Sequence, residues 1–191
     1  MEQQRKKLID QFIEINSQVN LSAIRDPEGI QIKHINDSIE INNALILKAG
    51  STLCDVGTGG GFPLLPIAMT NPKIECVGID STRKKVDAIN KMVAELKIPN
   101  VKAIRTRAED HKEQYDYVTA RAVSYTDKLL PQLHHLVKKK GKLILYKQYS
   151  PEEAQDMAYA SKRYRFVIQK KHKYKLFEGD IQRIIYVLKK I

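Results

Sequence analysis

The chain has 191 residues, of which 42% are hydrophobic, and this content is enough to fill the core of one domain. Lysine and arginine number 33 against 22 acidic residues, so the formal net charge of +11 favours a polyanionic partner. No apolar run approaches the ~18 residues of a membrane span, and no signal-type segment follows the first residues. We therefore expect a single-domain, monomeric, cytoplasmic protein that does not contact membranes.

The two cysteines, Cys54 and Cys76, both lie in short apolar segments that we predict to be buried strands. Cysteines in such segments are typical of small core residues. The pattern argues against a disulfide, a metal site and a cysteine nucleophile.

Residues 1–48 are predicted to form a helical cap on a core of residues 49–191. Apolar side chains recur every three or four positions over residues 2–20, which indicates an amphipathic helix. Asp26 and Pro27 suit the start of a second helix, which should run into the forties. Lys33 and Asp37 share a face of that helix, which is either part of a substrate site or an ordinary ion pair.

A glycine-rich loop follows the first predicted strand. The strand covers 52–56, the loop at 57–61 reads Gly-Thr-Gly-Gly-Gly, and an apolar helix occupies 64–69. Glycine permits positive φ and lets a ligand approach the backbone closely, so the loop indicates a nucleotide-like ligand. Its Gly-x-Gly-x-Gly spacing differs from the dinucleotide fingerprint Gly-x-Gly-x-x-Gly.

Two acidic residues at predicted strand ends narrow the choice of ligand. Asp55, just before the loop, would repel a pyrophosphate but suits a cationic amine or sulfonium. Asp80 ends the second apolar run, where a carboxylate can accept hydrogen bonds from both ribose hydroxyls. Together they favour S-adenosylmethionine over NAD, and the alternative interpretation is a plain tight turn.

The rest of the chain alternates strands and helices, as a doubly wound sheet requires. Ser81 or Thr82 should cap one helix, and a second helix should cover 129–136 with Pro131 in its first turn or at a kink. Ser150 should cap a third helix, with Glu153 completing a capping box. Further strands are predicted at 101–104, 115–120, 141–147 and 184–188, the last closing the sheet after a turn at 179–180.

Several polar residues follow these strands at their carboxyl ends, where a doubly wound sheet binds its ligand. Ala108 and Glu109 follow the third strand and are candidates for the adenine side of a nucleoside. Arg121 follows the fourth strand. Two interpretations are given equal weight: Arg121 contacts the substrate, or it forms an ion pair that fixes the edge of the sheet. Lys147 ends the fifth strand. The basic and aromatic stretch 162–175 is read either as an RNA contact or as a solvated edge strand.

The motifs in this order resemble those of the RsmG (GidB) family, bacterial methyltransferases that act on guanine N7 in small-subunit 16S ribosomal RNA. The resemblance rests on the segments 20–27, 33–38 and 55–63, and on shorter matches at 80–85, 107–109, 120–122 and 146–147. It implies an α/β fold: a class I methyltransferase (Rossmann-like), mostly parallel sheet with helices on both faces and an N-terminal helical extension. The chain departs from the family pattern in its short N-terminal region, at Gln148 and at Gln182.

The resemblance also extends the set of candidate residues. The cofactor-binding candidates are Asp55, Gly57, Gly59, Gly61, Phe62, Asp80, Ala108, Glu109 and Arg121. The RNA-binding candidates are Arg25, Lys33, His34, Arg121, Lys147 and Arg183. Arg121 and Lys147 are the catalytic candidates, with no metal ligand among them.

The implied reaction needs no general base, because guanine N7 carries a free lone pair at neutral pH. Positioning of the reactants can then supply most of the catalysis, roughly 7 to 11 kcal/mol. Three other functions remain open at this level: S-adenosylmethionine-dependent methylation of another RNA or a small molecule, a nicotinamide-dependent oxidoreductase, and a non-catalytic ribosome-assembly factor.

Overall fold

A computed structural model describes residues 2–121, 126–176 and 181–191 of the chain. Its N-terminal part is helical, as predicted, but the second helix has an unexpected centre. A π-helical segment occupies Ile30–Asn36 and is flanked by short α-helical turns. These N-terminal helices are α1 (Glu2–Val19), α2 (Pro27–Gly29), α3 (Asp37–Ile39) and α4 (Ile41–Ala44).

A seven-stranded sheet forms the centre of the protein, in the order β3-β2-β1-β4-β5-β7-β6. Strands β1 to β5 run parallel, whereas β7 is antiparallel to both of its neighbours. The strands are β1 (Thr52–Val56), β2 (Glu75–Asp80), β3 (Val101–Arg105), β4 (Tyr115–Arg121), β5 (Val137–Gln148), β6 (Phe166–Leu176) and β7 (Ile181–Lys190). The connecting helices are α5 (Leu64–Thr70), α6 (Arg83–Glu95), α7 (Thr126–Leu133), a 3-10 turn (His134–Leu136) and α8 (Pro151–Arg163).

Two hydrophobic clusters cover the two faces of the sheet. Leu53 faces a cluster that includes Leu8 and Phe12 of α1, whereas the next residue, Cys54, faces the cluster beneath α7 and α8. Burial on both faces is why successive residues of β1, such as Leu53 and Cys54, are apolar rather than alternating with polar ones. Both cysteines are free and buried, so their prediction as core residues is confirmed.

Three local predictions need correction. β7 does not close the sheet: it lies between β5 and β6, and β6 is the edge strand that the solvated pattern of 162–175 suggested. Thr82 takes the N-cap position of α6 but makes no side-chain capping bond. Ser150 does cap α8, accepting from the Glu153 N–H at 3.1 Å, but the Glu153 carboxylate turns to Lys147 instead of completing a capping box.

Pro131 lies inside α7, two residues before that helix ends, so it is not in the first turn, and a kink at Pro131 stays a prediction. Ala122 and the predicted turn at 179–180 lie outside the described residues. Within the described ranges, no helix combines the length and apolar character that crossing a membrane requires.

Candidate cofactor and RNA site

A groove of about 230 Å³ lies at the carboxyl ends of β1, β2 and β3. Four of the predicted cofactor residues line it: Gly57, Asp80, Ala108 and Glu109. They lie at or just after the ends of three neighbouring strands, which the parallel arrangement brings to one edge of the sheet. Ser81, Thr106, Arg107 and Gln132 also line the groove, and of these Thr106 and Gln132 were not predicted, because neither belongs to a recognisable motif.

The glycine loop has the backbone conformation that its composition predicts. Gly57, Gly59 and Gly61 have φ values of 67°, 56° and 87°, in the region that residues with a Cβ rarely adopt. At Gly61 a Cβ would also lie 2.7 Å from the Leu65 side chain. The loop is therefore restricted to glycine by conformation and by packing.

Asp80 holds this loop in place. Its Oδ2 accepts a hydrogen bond from the Gly59 N–H at 3.1 Å, and its Oδ1 accepts one from the Thr82 N–H at 2.8 Å. An ionised carboxylate has about four acceptor positions, so two remain for the hydroxyls of a ribose. Asp80 thus joins the loop after β1 to the start of α6 and keeps acceptor capacity toward the groove.

Asp55 is fully buried at the end of β1 and only half satisfied. Its Oδ1 accepts from the Thr119 hydroxyl at 2.8 Å, whereas its Oδ2 has no hydrogen-bond partner. The Thr58 hydroxyl, in the glycine loop, is also buried and faces the same carboxylate. Burial raises the pKa of Asp55 to about 6, opposed by the Thr119 and Thr58 hydroxyls. A buried carboxylate that is only half satisfied, beside the loop, fits a ligand with a cationic amine or sulfonium.

The raised pKa of Asp55 predicts how the stability of the protein depends on pH. A raised pKa in the folded state favours the protonated acid, so the Asp55 contribution to stability falls as pH rises from about 4 to about 6. We expect Asp55→Asn to resist urea unfolding better than wild type at pH 8, by about 1 to 3 kcal/mol. The two proteins should be equally stable at pH 4, and a variant that is less stable at pH 8 would contradict the prediction.

Phe62 and His34 lie beside the loop rather than in the groove. Phe62 is 6% exposed and stacks on the His34 ring with centroids 4.8 Å apart, while Phe12 meets it edge-on at 5.0 Å. The Arg121 guanidinium lies 6.0 Å from the centre of the Phe62 ring. This stack connects the cap to the glycine loop.

The hydrogen bonds of His34 determine its tautomer. Its Nδ1 lies 3.2 Å from Arg121 Nη2, and because a guanidinium only donates, Nδ1 accepts. The proton is then on Nε2, which donates to the Ser22 hydroxyl at 2.9 Å. Burial and the Arg121 charge lower the pKa of His34 to about 4, so the ring is neutral near pH 7.

Asp37 pairs with arginines from two strands instead of with Lys33. Its Oδ2 lies 2.9 Å from Arg121 and 3.3 Å from Arg183, and Tyr174 donates to its Oδ1 at 2.6 Å. The carboxylate is 2% exposed, and Arg121 is also held by the Lys33 carbonyl at 3.1 Å. Arg121 therefore forms an ion pair, whose partner belongs to the cap rather than to the sheet edge, and its substrate contact stays a prediction. We refer to Asp37, Arg121, Arg183 and Tyr174 as the Asp37 cluster.

The remaining RNA-binding candidates occupy different positions. Lys33 and Arg25 are exposed on the cap, and Arg25 donates to Asn20 at 3.2 Å. Lys147 pairs with Glu153 at 2.9 Å beneath α8, on the opposite face of the sheet from Arg121. The structure thus brings Lys33, His34, Arg121 and Arg183 together at the carboxyl edge, whereas Lys147 and Arg25 lie apart from them.

The topology and the groove define the class: the fold is that of the class I, S-adenosylmethionine-dependent methyltransferases. An S-adenosylmethionine-dependent methyltransferase from Aquifex aeolicus matches it with a TM-score of 0.65 and 18% identity, over 85% of this chain and 93% of that one. A Streptomyces coelicolor geranyl diphosphate C-methyltransferase, in complex with S-adenosyl-L-homocysteine, matches with a TM-score of 0.61 and 13% identity, over 82% and 78%.

The sequence identifies a family within this class of methyltransferases. The family model described as rRNA small subunit methyltransferase G (GidB) matches residues 1–185 of the chain. Proteins named ribosomal RNA small subunit methyltransferase G share 33% identity in Lysinibacillus sphaericus, over 98% of this chain and 82% of theirs, and 36% in Bacillus licheniformis, over 94% and 78%. The chain belongs to the ribosomal RNA small subunit methyltransferase G family. The resemblance read from the motifs is confirmed, and family and fold together support S-adenosylmethionine as the cofactor.

Proposed function

We propose that the protein transfers a methyl group from S-adenosylmethionine to guanine N7 in 16S ribosomal RNA of the small subunit. Membership of the methyltransferase family supports the reaction class and the RNA substrate. The observation that carries the cofactor assignment is the groove in which Asp80 and Glu109 lie beside the glycine loop, with the buried, half-satisfied Asp55 carboxylate behind it. The predicted cytoplasmic location follows from such a substrate. The monomeric state, and the division into a cap (1–48) and a core (49–191), are part of the same proposal.

Each part of the cofactor would meet a different residue of this chain. Asp80 would accept from the ribose hydroxyls, Ala108 and Glu109 would lie at the adenine, and the backbone of Gly57, Gly59 and Gly61 would contact the methionine portion. The carboxylate of Asp55 would attract the amino group through the glycine loop. Phe62 and Arg121, which line the cap side of the loop, would set the position of the site rather than contact the groove itself.

S-adenosylmethionine supplies an electrophilic methyl group on a sulfonium sulfur. The N7 lone pair of the guanine would form the new N–C bond as the C–S bond breaks, and the bonding pair would stay on sulfur. Net charge is unchanged, because the ring gains the positive charge that the sulfonium loses. The protein therefore needs to hold the three atoms in line and exclude water, and it needs no proton acceptor.

The hydrogen bonds of His34 agree with a reaction that uses no base, because both of its ring nitrogens are engaged. His34 is the histidine at the loop, and its Nδ1 is occupied by Arg121 while its Nε2 donates to Ser22. The net charge of the Asp37 cluster is +1, from two arginines and one carboxylate. We propose that this charge attracts RNA phosphate to the carboxyl edge of the sheet, with exposed Lys33 adding to it.

The direct test uses methyl-labelled S-adenosylmethionine and small ribosomal subunits from a strain that lacks this gene. After digestion of the RNA, we expect label in 7-methylguanosine. Label in another nucleoside would keep the methyltransferase and overturn the N7 assignment. The absence of label on both subunits and naked RNA would favour a non-catalytic assembly factor.

A further inference from the structure

A second groove lies at the opposite end of the sheet from the groove that Gly57 and Asp80 line. It has a volume of about 470 Å³ and five lysines in its wall: Lys48, Lys139, Lys140, Lys142 and Lys189. Lys142 lies on the same face of β5 as Ile144 and Tyr146, because the three residues are two positions apart. Ile144 and Tyr146 pack beneath the cap, so the groove opens on the cap face of the sheet. We refer to it as the lysine groove.

Among the residues that the structure describes, none of the five groove lysines forms a salt bridge. Lys142 and Lys189 are register partners on antiparallel strands, a position in which like charges are destabilising. Burial, followed by Lys48 and then Lys189, lowers the pKa of Lys142. Among the described residues of the lining, Asp116 is the single carboxylate. It already pairs with Lys138 at 3.0 Å and accepts from the Thr52 N–H and hydroxyl, both at 2.9 Å.

A loop in β5 presents further lysines at the rim. Tyr115 pairs with Val137 and Tyr117 pairs with Lys142, so one intervening residue of β4 faces four of β5. The extra residues loop outward and leave Lys139 and Lys140 exposed, with Lys140 at a φ of 64°. Gly141 closes this loop, because a Cβ there would lie 2.8 Å from the Lys138 carbonyl oxygen. The irregular segment of β5 thus places Lys139 and Lys140 close to the other lysines of the groove, where repulsion between like charges lowers the stability of the protein.

We propose that the lysine groove binds the phosphodiester backbone of RNA, as a docking site separate from the methylation site. Lysine ammonium groups on flexible stems bind phosphates as point charges and read no sequence, which suits a contact that holds a large folded RNA. The five-residue strand β1 separates the two ends of the sheet by about 17 Å. The choice of small-subunit RNA as the partner rests on the proposed function. The binding test itself does not depend on methyl transfer.

The test compares two triple variants in RNA binding without cofactor. Lys48, Lys142 and Lys189 are changed to glutamine in one variant, and exposed Lys6, Lys7 and Lys97 are changed in the control. For the groove variant we expect affinity for full-length small-subunit RNA to fall at least ~10-fold at about 0.1 M salt, and the slope of log affinity against log salt to decrease by about 2. The control should change affinity less than ~3-fold.

Two further measurements separate binding from folding. S-adenosylmethionine affinity should be unchanged in the groove variant, and its melting temperature should be equal to or above that of wild type, because a repulsive pair is removed. A lower melting temperature, or an RNA affinity equal to that of the control, would overturn the inference. Loss of RNA affinity in the groove variant would support it even if wild type produced no 7-methylguanosine, a result that would overturn the proposed function alone.

Discussion

Replacing Asp80 by alanine should abolish S-adenosylmethionine binding, with an affinity at least ~100-fold below that of wild type in isothermal titration calorimetry. Two losses add together. Hydrogen bonds to a charged group contribute about 1.5 to 3 kcal/mol each, and the ribose hydroxyls would lose their acceptor. The Gly59 N–H and the Thr82 N–H would also lose theirs, which frees the loop that the cofactor must meet.

A matched control lies on α6. Asp87→Ala removes an exposed carboxylate that pairs with Arg83 on the surface, so it should leave the affinity unchanged. Asp80→Asn is a second comparison, because an amide keeps one acceptor oxygen but loses the charge; we expect its affinity to lie between those of wild type and Asp80→Ala. Wild-type affinity in Asp80→Ala would refute the assignment of Asp80 to the ribose.

Replacing Asp37 by alanine should destabilise the protein more than any other single change proposed for the cap. The change leaves two largely buried guanidinium groups without their carboxylate, at a cost of about 3 to 5 kcal/mol. That is a large fraction of the about 5 to 15 kcal/mol by which a domain of ordinary stability resists unfolding. Urea denaturation followed by circular dichroism measures it directly.

Three variants locate the origin of this loss. Tyr174→Phe removes one donor to the Asp37 carboxylate and should cost about 1.5 to 3 kcal/mol, less than Asp37→Ala. Asp26→Ala removes an exposed carboxylate that caps the same helical region and should cost only about 1 kcal/mol. Adding Arg183→Met to Asp37→Ala should recover part of the stability, because one unpaired charge is then absent. A double variant no more stable than Asp37→Ala would show that charge is not the cause.

The groove proposed for the cofactor could be predicted from sequence because its lining is encoded locally. Gly57, Gly59 and Gly61 follow a strand that can be read from its apolar residues, and Asp80 ends the next one. Parallel strands deliver their carboxyl ends to one edge, so the order of the elements is enough to bring Asp80, Ala108 and Glu109 together.

The charged half of the site depended on tertiary structure. Asp37 and Lys33 share a helix face in sequence, but the π-helical turn and burial direct Asp37 to Arg121, 84 residues away, and to Arg183, 146 residues away. The lysine groove likewise combines the connector before β1 with residues of β5 and β7. Periodicity along the chain determines which elements form and which face is buried. The partner of a buried charge depends on the packing and register of distant elements, which periodicity does not encode.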